Sequence, residues 1–429
     1  MVNPNMEKGS NLHLILVDYH MQIKQETCYG QAADVQSYVG KRGNMKNILD
    51  CTGHKLKIPN IVDSNGVYLF DTDGKRYMDL ESGIWCTSLG HKNIRINNAI
   101  KKQLDSIMHA GFCYTNEIVD IAAKSILSVA GLKDGRCVFL SSGSEAVEIL
   151  RQAAKHLTKN PKTLVLRGAE LGAYDSLTDR EQGWYSFEWE NCEECTDSII
   201  CDLHNEALDK IPEDITEFIF EPGSAAGLVG FPPKAMIQKI VSIVRGNGGR
   251  IIVNEVTTGI GRTGKWFGYQ HYDIKPDMIA VGKGVGNGYP VSVAVFSESV
   301  TNELDTFKYS QSHQNDPLGA AVANEVISII KDNDLIRDVA RKGRIFLSQL
   351  RSLERSKIKI RGRGMMFTID FMNEKIADEI YNKLMESGYI VCNRGSFLRI
   401  DPPLIINENE FGKFMDVLST IVAQKVVLT

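Results

Sequence analysis

Between about residue 90 and residue 300, short apolar runs alternate with amphipathic stretches. The runs 136–140, 163–166, 217–220, 250–253, 278–281 and 291–296 are apolar almost throughout, which predicts strands buried on both faces. The stretches 145–157 and 233–244 carry apolar residues at helical spacing. Strands alternating with helices predict a mainly parallel sheet covered by helices on both sides. After about 315 the pattern changes. Two long helical stretches, 317–331 and 335–353, precede strand-like 358–360 and 365–369. A helix over 374–387 follows, with Asn373 as its N-cap and Gly388 just past its end. Upstream, 67–71 and 73–77 read as a hairpin with Asp73-Gly74 at the turn. Residues 1 to about 50 are polar and read as an arm or short helices packing elsewhere. The expected division is an N-terminal segment 1–69 packed on the small domain, a large domain 70–315 and a smaller α+β domain 316–429.

Composition adds exclusions. The chain has 429 residues, 43% apolar and 24% charged, enough for a large core without disulfides or a structural metal. Forty-nine basic against 53 acidic residues give −4, with no basic block, so no nucleic-acid partner is expected. No apolar run reaches the roughly 18 residues of a membrane helix. The short apolar patch 12–17 lacks the basic flank and cleavage site of a signal peptide. Nine scattered cysteines, an odd number, fit reduced thiols and a cytoplasmic location.

Candidate chemistry clusters after the strands. Ser142-Gly143-Ser144-Glu145 follows the 136–140 run and opens a helix; Ser142 and Glu145 have capping-box spacing. Free N–H groups at such a helix start suit a phosphate, although a plain N-cap has the same pattern. Ser142, Glu221, Asn254 and Lys283 all fall just past predicted strands, where ligands bind in open α/β sheets. Lys283 sits among glycines after an apolar strand, a setting in which a desolvated lysine can form a Schiff base. Two patterns are expected to mislead. Gly259 to Lys265 satisfies two nucleotide-loop patterns, but Trp266 stands where a Walker loop needs Ser or Thr. Cys192-x-x-Cys195 with Cys201-x-x-His204 has ligand types that suit Zn²⁺. Only five residues separate the pairs, and 198–201 reads as a buried strand pointing side chains to opposite faces. Ordinary thiols, and no metal, are the expectation there.

In this order, the pieces resemble class III pyridoxal-phosphate (PLP) aminotransferases, the family of the ornithine, acetylornithine and 4-aminobutyrate enzymes. The likeness runs over about 60–425. It rests on Tyr68-Leu69-Phe70-Asp71, Ser82-Gly83-Ile84-Trp85, Leu89-Gly90-His91, the 142–146 loop, Glu221-Pro222, Asn254-Glu255-Val256 with Gly259 to Gly264, and Leu398 to Leu404. Asn254 and Lys283 are 29 residues apart, the family's spacing. The resemblance implies fold type I: a large domain with a mainly parallel seven-stranded sheet and a smaller α+β C-terminal domain. It implies a homodimer with the active site at its interface. Lys283 would form the internal aldimine and shuttle the Cα proton. Gly143 and Ser144 would hold the phosphate; Tyr174 and Val256 would flank the pyridine ring. Ser312 would reach the phosphate across the interface, Arg399 would clamp a substrate carboxylate, and Trp85 would wall the pocket.

The chain departs from the family in places. Asn254 replaces the Asp that keeps the pyridine nitrogen protonated. Asp175-Ser176 replace His-Gly, and Ser224 and Ala226 replace the Gln and Glu of the ornithine and 4-aminobutyrate branch. The expected reaction is amino transfer between an amino acid or amine and a 2-oxo acid. The alternatives are a racemase or epimerase, and a PLP-binding homologue made weakly active by Asn254.

Overall fold

All six apolar runs become strands of one sheet. The computed structural model describes residues 49, 56–58, 60–159, 161–174, 183–189, 194–223 and 229–426. The seven strands lie side by side in the order Arg136–Leu140, Ser292–Phe296, Met278–Val281, Arg250–Glu255, Ile215–Phe220, Lys162–Leu166 and Trp184–Phe187. From Met278–Val281 outward to Trp184–Phe187 every pairing is parallel. Ser292–Phe296 alone runs antiparallel to both its neighbours. Its connector from the preceding strand, 282–291, is ten residues long. A parallel return needs a crossover of a dozen or more residues, so this short link turns the strand round. Lys283 stands at the start of that link.

Alternate residues of each strand feed two cores. Leu140, Val165, Ile219, Ile252 and Ala280 pack with Ala146, Leu150 and Ala153 of helix Gly143–Leu157. Phe139, Leu164, Phe218, Ile251 and Ile279 pack on the opposite face with Ile126, Ile240 and Val326 of helices Glu117–Ala130, Lys234–Gly246 and Pro317–Asp332. Each Val, Leu, Ile or Phe among these, fully buried, contributes about 1.5–3 kcal/mol. That burial fixes the carboxyl ends of the strands, where the candidate chemistry lies.

Strands Lys359–Arg363, Met366–Asp370, Phe397–Ile400 and Cys392–Arg394 form an antiparallel sheet. Helices Leu335–Arg351, Glu374–Glu386 and Glu408–Val426 share its core through Phe346, Ile380 and Phe411. Asn373 caps the second of them through the Ile376 amide, and Gly388 turns the chain at φ +85°, both as the sequence predicts. Strand Arg76–Asp79 pairs in parallel with Tyr389–Ile390.

Residues 64–69 and 76–429 form one compact unit; 1–63 with 70–75 form a second. In the second, Asp71 Oδ1 accepts the amides of Asp73 and Lys75 at 3.0 and 2.9 Å, and Gly74 takes φ +76°, which is the expected turn. The polar arm falls almost wholly outside the described residues, as do Asp175, Ser176, Cys192, Ser224 and Ala226. Among the described residues no helix is long and apolar enough to cross a membrane.

One reading of the sequence is corrected and one strand is added. The edge strand Trp184–Phe187 lies outside the six apolar runs; its Trp184 and Tyr185 are half-buried and Phe187 is buried. Residues 198–201 are not a strand: Thr196 and Ile199 exchange backbone hydrogen bonds in a turn, and Cys201 caps the following helix. The opposite-face argument against Cys195, Cys201 and His204 therefore fails, and their donor atoms all lie within 4.8 Å of one another.

Candidate active site

Ser142 closes the capping box expected of it, accepting the Glu145 amide at 3.3 Å while Glu145 Oε2 accepts the amides of Ser141 and Ser142. The 15-residue helix Gly143–Leu157 thus presents its N-terminus, with positive dipole, at the end of the 136–140 strand. Side chains are excluded there by close packing. A Cβ on Gly143 would lie 2.6 Å from Val256 Cγ1, and one on Gly282 would lie 3.2 Å from the same atom. Gly172, at φ +125°, would set a Cβ 2.9 Å from Ser144 Oγ. Ser144 Oγ accepts the Ala173 amide at 3.0 Å. Gly143, Ser144 and Val256 are thereby brought together in a cradle of backbone amides and small groups that suits a phosphate.

Lys283 adopts φ +44°. Its Nζ donates to Thr257 Oγ1 at 3.0 Å and lies 4.7 Å from the centre of the Trp85 ring. Burial lowers its pKa, and Arg399 adds to that; Glu221, Cys86 and Glu170 oppose it. An amine so placed gives up its proton more readily than a solvated lysine.

Asn254 is 4% exposed. Its Nδ2 donates to the Glu170 carbonyl at 2.7 Å, and its Oδ1 accepts the Val256 amide at 3.1 Å. The Glu170 amide in turn donates to Glu221 Oε2 at 3.1 Å. One backbone segment therefore links the Asn254 amide to the carboxylate that faces Lys283. A primary amide has two N–H donors, so Nδ2 retains one beyond the bond to Glu170.

Trp85 is held by an uncommon backbone. Ser82, Gly83, Ile84 and Trp85 have φ of +50°, +54°, +59° and +63°, a single left-handed turn. Each non-glycine residue there costs about 1–2 kcal/mol. Asp79 offsets this by accepting the amides of Glu81 and Gly83 and pairing with His91 Nε2 at 2.8 Å. Ser82 Oγ donates to the Asp401 carbonyl at 2.5 Å. The turn delivers the Trp85 ring to two cations, because Arg399 Cζ lies 3.8 Å from the same ring centre.

Arg399 Nε donates to Asp401 Oδ2 at 2.8 Å, which fixes one edge of the guanidinium. Burial pushes the Asp401 carboxyl up to about 6 despite Arg399 and Arg262. Arg262, 1% exposed, donates to the carbonyls of Pro402 and Met365 and to Ser88 Oγ. Desolvation lowers its pKa to about 10, still a cation at neutral pH. This is what the glycine-rich 259–265 segment does: it folds a buried arginine against the chain that carries Arg399, and it is no nucleotide loop. Tyr174 is 41% exposed, Ser312 is exposed, and none of the hydrogen bonds just described reaches either. Thr257, Arg262 and Asp401 were given no role in the sequence, since a Thr, an Arg and an Asp show their partners only once packing brings them together.

Residues 52–170 and 180–422 match the Aminotransferase class-III family. The chain is similar to the acetylornithine aminotransferase of Archaeoglobus fulgidus, 31% identical over 362 residues that cover 82% of this chain and 92% of that enzyme. It is also similar to the [LysW]-aminoadipate semialdehyde/glutamate semialdehyde transaminase of Sulfolobus acidocaldarius, 28% identical over 83% of this chain and 93% of that one. In fold it resembles an amine transaminase from an uncultivated Pseudomonas species, with a TM-score of 0.81 over 88% of this chain and 99% of that one at 21% identity. Nothing in these likenesses favours a racemase. With its fold type I architecture, the chain belongs to the class III aminotransferases, enzymes that use pyridoxal phosphate to move amino groups.

Proposed function

We propose that this aminotransferase exchanges an amino group between a carboxylate-bearing amino acid and a 2-oxo acid, with Lys283 as its catalytic amine and Arg399 as its carboxylate clamp. One observation carries the reading: the Lys283 amine and the Arg399 guanidinium lie over the same Trp85 ring at the carboxyl end of the sheet. The residues present fit PLP. The Gly143–Ser144 amides would hold its phosphate, Val256 and Tyr174 would flank its ring, and Asn254 would give its ring nitrogen one N–H. When bound, PLP supplies an electron sink for the pair released as the Cα–H bond breaks. The chain's own residues do the rest. Lys283, whose pKa burial lowers, would hold the cofactor through its amine, and Nζ, once displaced by the substrate amine, would take and move the Cα proton. Thr257 Oγ1 and the Glu221 carboxylate orient that amine as its charge changes. Arg399, held through Nε by Asp401, would present its guanidinium to the substrate carboxylate. Trp85 closes the pocket against water.

Relatives named for acetylornithine and for aminoadipate semialdehyde support an amino-acid derivative as donor. The reading includes a cytoplasmic homodimer in which Ser312, exposed in the single chain, reaches the partner's phosphate site. The test is a panel of amino acids and amines added to the purified enzyme. Conversion of the cofactor absorbance to the pyridoxamine form, with keto-acid release, is expected for carboxylate-bearing donors. Equal conversion of simple amines lacking a carboxylate would remove Arg399 from the substrate site.

A further inference from the structure

Three soft donors converge away from the Lys283 site, beside the edge strand Trp184–Phe187. Nδ1 of His204 lies 3.1 Å from Cys201 Sγ and 3.5 Å from Cys195 Sγ. We propose that Cys195, Cys201 and His204 form a metal site for Zn²⁺, in which the two sulfurs bind as thiolates, the imidazole binds through Nδ1 and a water completes the tetrahedron.

The spacing is that of a tetrahedral ligand set. Zn–S of about 2.3 Å and Zn–N of about 2.0–2.1 Å at the tetrahedral angle separate S from N by about 3.6 Å. The separations of 3.5 and 3.1 Å are close to this, and side-chain torsion closes the difference. A neutral imidazole Nδ1 carries either one lone pair or one N–H to offer the two sulfurs. A divalent cation satisfies all three groups at once. Coordination replaces both S–H bonds with S–Zn bonds, and the two thiol protons go to solvent.

Local structure arranges the donors. Cys201 caps helix Asp202–Asp209, and His204 follows three residues later, which puts both on one side of the first turn. The Cys201 amide donates to Cys195 Sγ at 3.3 Å, a bond that favours a thiolate. The turn between them is tied by Thr196 Oγ1, which accepts the amides of Ser198 and Ile199. Asp197 anchors the turn to helix Lys234–Gly246, its Oδ1 accepting the Lys234 amide and its carbonyl accepting the Ala235 amide. Phe187 of the edge strand lies against the His204 ring, with centroids 6.4 Å apart. A cation here would cross-link the 195–204 segment within itself, beside a strand that among the described residues has a neighbour on one side only. Thiolate and imidazole donors select Zn²⁺ over harder cations. The trio of exposed His109 and His313 with half-buried Asp316 has no sulfur and would bind without a thiolate signature.

The test uses the full-length holoenzyme, made in zinc-supplemented medium and exchanged into metal-free buffer under reducing conditions. Elemental analysis is expected to find about one zinc per chain. Protein stripped by chelator and titrated with Co²⁺ is expected to show thiolate-to-cobalt charge-transfer absorption with strong tetrahedral d–d bands, and to melt several degrees higher when loaded. Cys201→Ser and His204→Ala should lose the zinc and the charge-transfer band, whereas Cys113→Ser, at an exposed position elsewhere, should keep both. Zinc well below stoichiometric, with no charge-transfer band in wild-type protein, would overturn the proposal even if the variants fail to fold. So would retention of full zinc and an unchanged band in both variants.

Discussion

Replacing Asn254 by Asp changes one NH₂ for one oxygen and almost nothing in volume, so its effects report on hydrogen bonding and charge. In the wild type Nδ2 donates to the Glu170 carbonyl at 2.7 Å. Aspartate would set a carboxylate oxygen against that carbonyl oxygen in a nearly closed site. The loss of a buried bond with its acceptor left unsatisfied costs about 1–3 kcal/mol, and the repulsion drives the carboxyl to take up a proton. The apoenzyme should therefore lose about 1–3 kcal/mol of stability in urea denaturation. With cofactor bound, the same carboxyl gains a protonated ring nitrogen as partner, so the loss should shrink. The charge should also speed the half-reaction with a good amino donor, by about 10-fold or more, because one catalytic electrostatic contact is worth a few kcal/mol. Stopped-flow absorbance reads that rate. An apoenzyme variant as stable as the wild type, together with an unchanged half-reaction, would show that Asn254 neither anchors Glu170 nor faces the ring nitrogen.

Other outcomes follow from the same geometry. Asp401, raised by burial to about 6 from 3.8, binds its proton more tightly folded than unfolded, so its contribution is complete below about pH 4 and is lost as pH rises through 6. Two pKa units are about 3 kcal/mol, and Asp401→Asn should flatten that part of the stability–pH curve in denaturant titrations. A slope identical to the wild type would place the titration elsewhere. Gly143→Ala, whose Cβ would meet Val256 Cγ1 at 2.6 Å, should weaken PLP binding by 10-fold or more, on the order of 1–3 kcal/mol of overpacking, and Val256→Ala in the same chain should restore part of it. Equal cofactor affinity in wild type and Gly143→Ala would contradict the cradle. Arg399→Lys keeps the charge but loses the planar fork and its bond to Asp401, and kcat/KM for carboxylate donors should fall by about 2–4 kcal/mol. Unchanged kcat/KM across the donor panel would assign the clamp to another group.

The central sheet was legible because its strands are buried on both faces and so read as unbroken apolar runs. Caps such as Ser142, Asn373 and Gly388 were legible because their chemistry is local. The edge strand Trp184–Phe187 was not, since it is only four residues long and its exposed Ser186 interrupts the apolar run. The left-handed turn at 82–85 was hidden too: only Gly83 favours that backbone, and the Asp79 bonds that support it are tertiary. Lys283 and Arg399 were found by their place in motifs, but their shared Trp85 ring and the restraint of Arg399 by Asp401 depend on how the 397–400 strand packs. Residues 198–201 were misread, a turn taken for a strand, and that turn is what brings the donor atoms of Cys195, Cys201 and His204 together.

Lys342 and Lys283 both hold their amines against protein groups, and only Lys283 suits the chemistry. Lys342, 4% exposed, donates to the carbonyls of Leu404 and Ile406 and pairs with Asp338, which commits all three of its hydrogens. Lys283 has a single hydroxyl acceptor in Thr257 and a pKa lowered by burial. Borohydride reduction of the yellow holoenzyme, followed by proteolysis and mass spectrometry, tests this directly. The pyridoxyl group is expected on the peptide containing Lys283 and on no other; its appearance on Lys342 or any other lysine, or a protein made with PLP that shows no chromophore, would contradict the account.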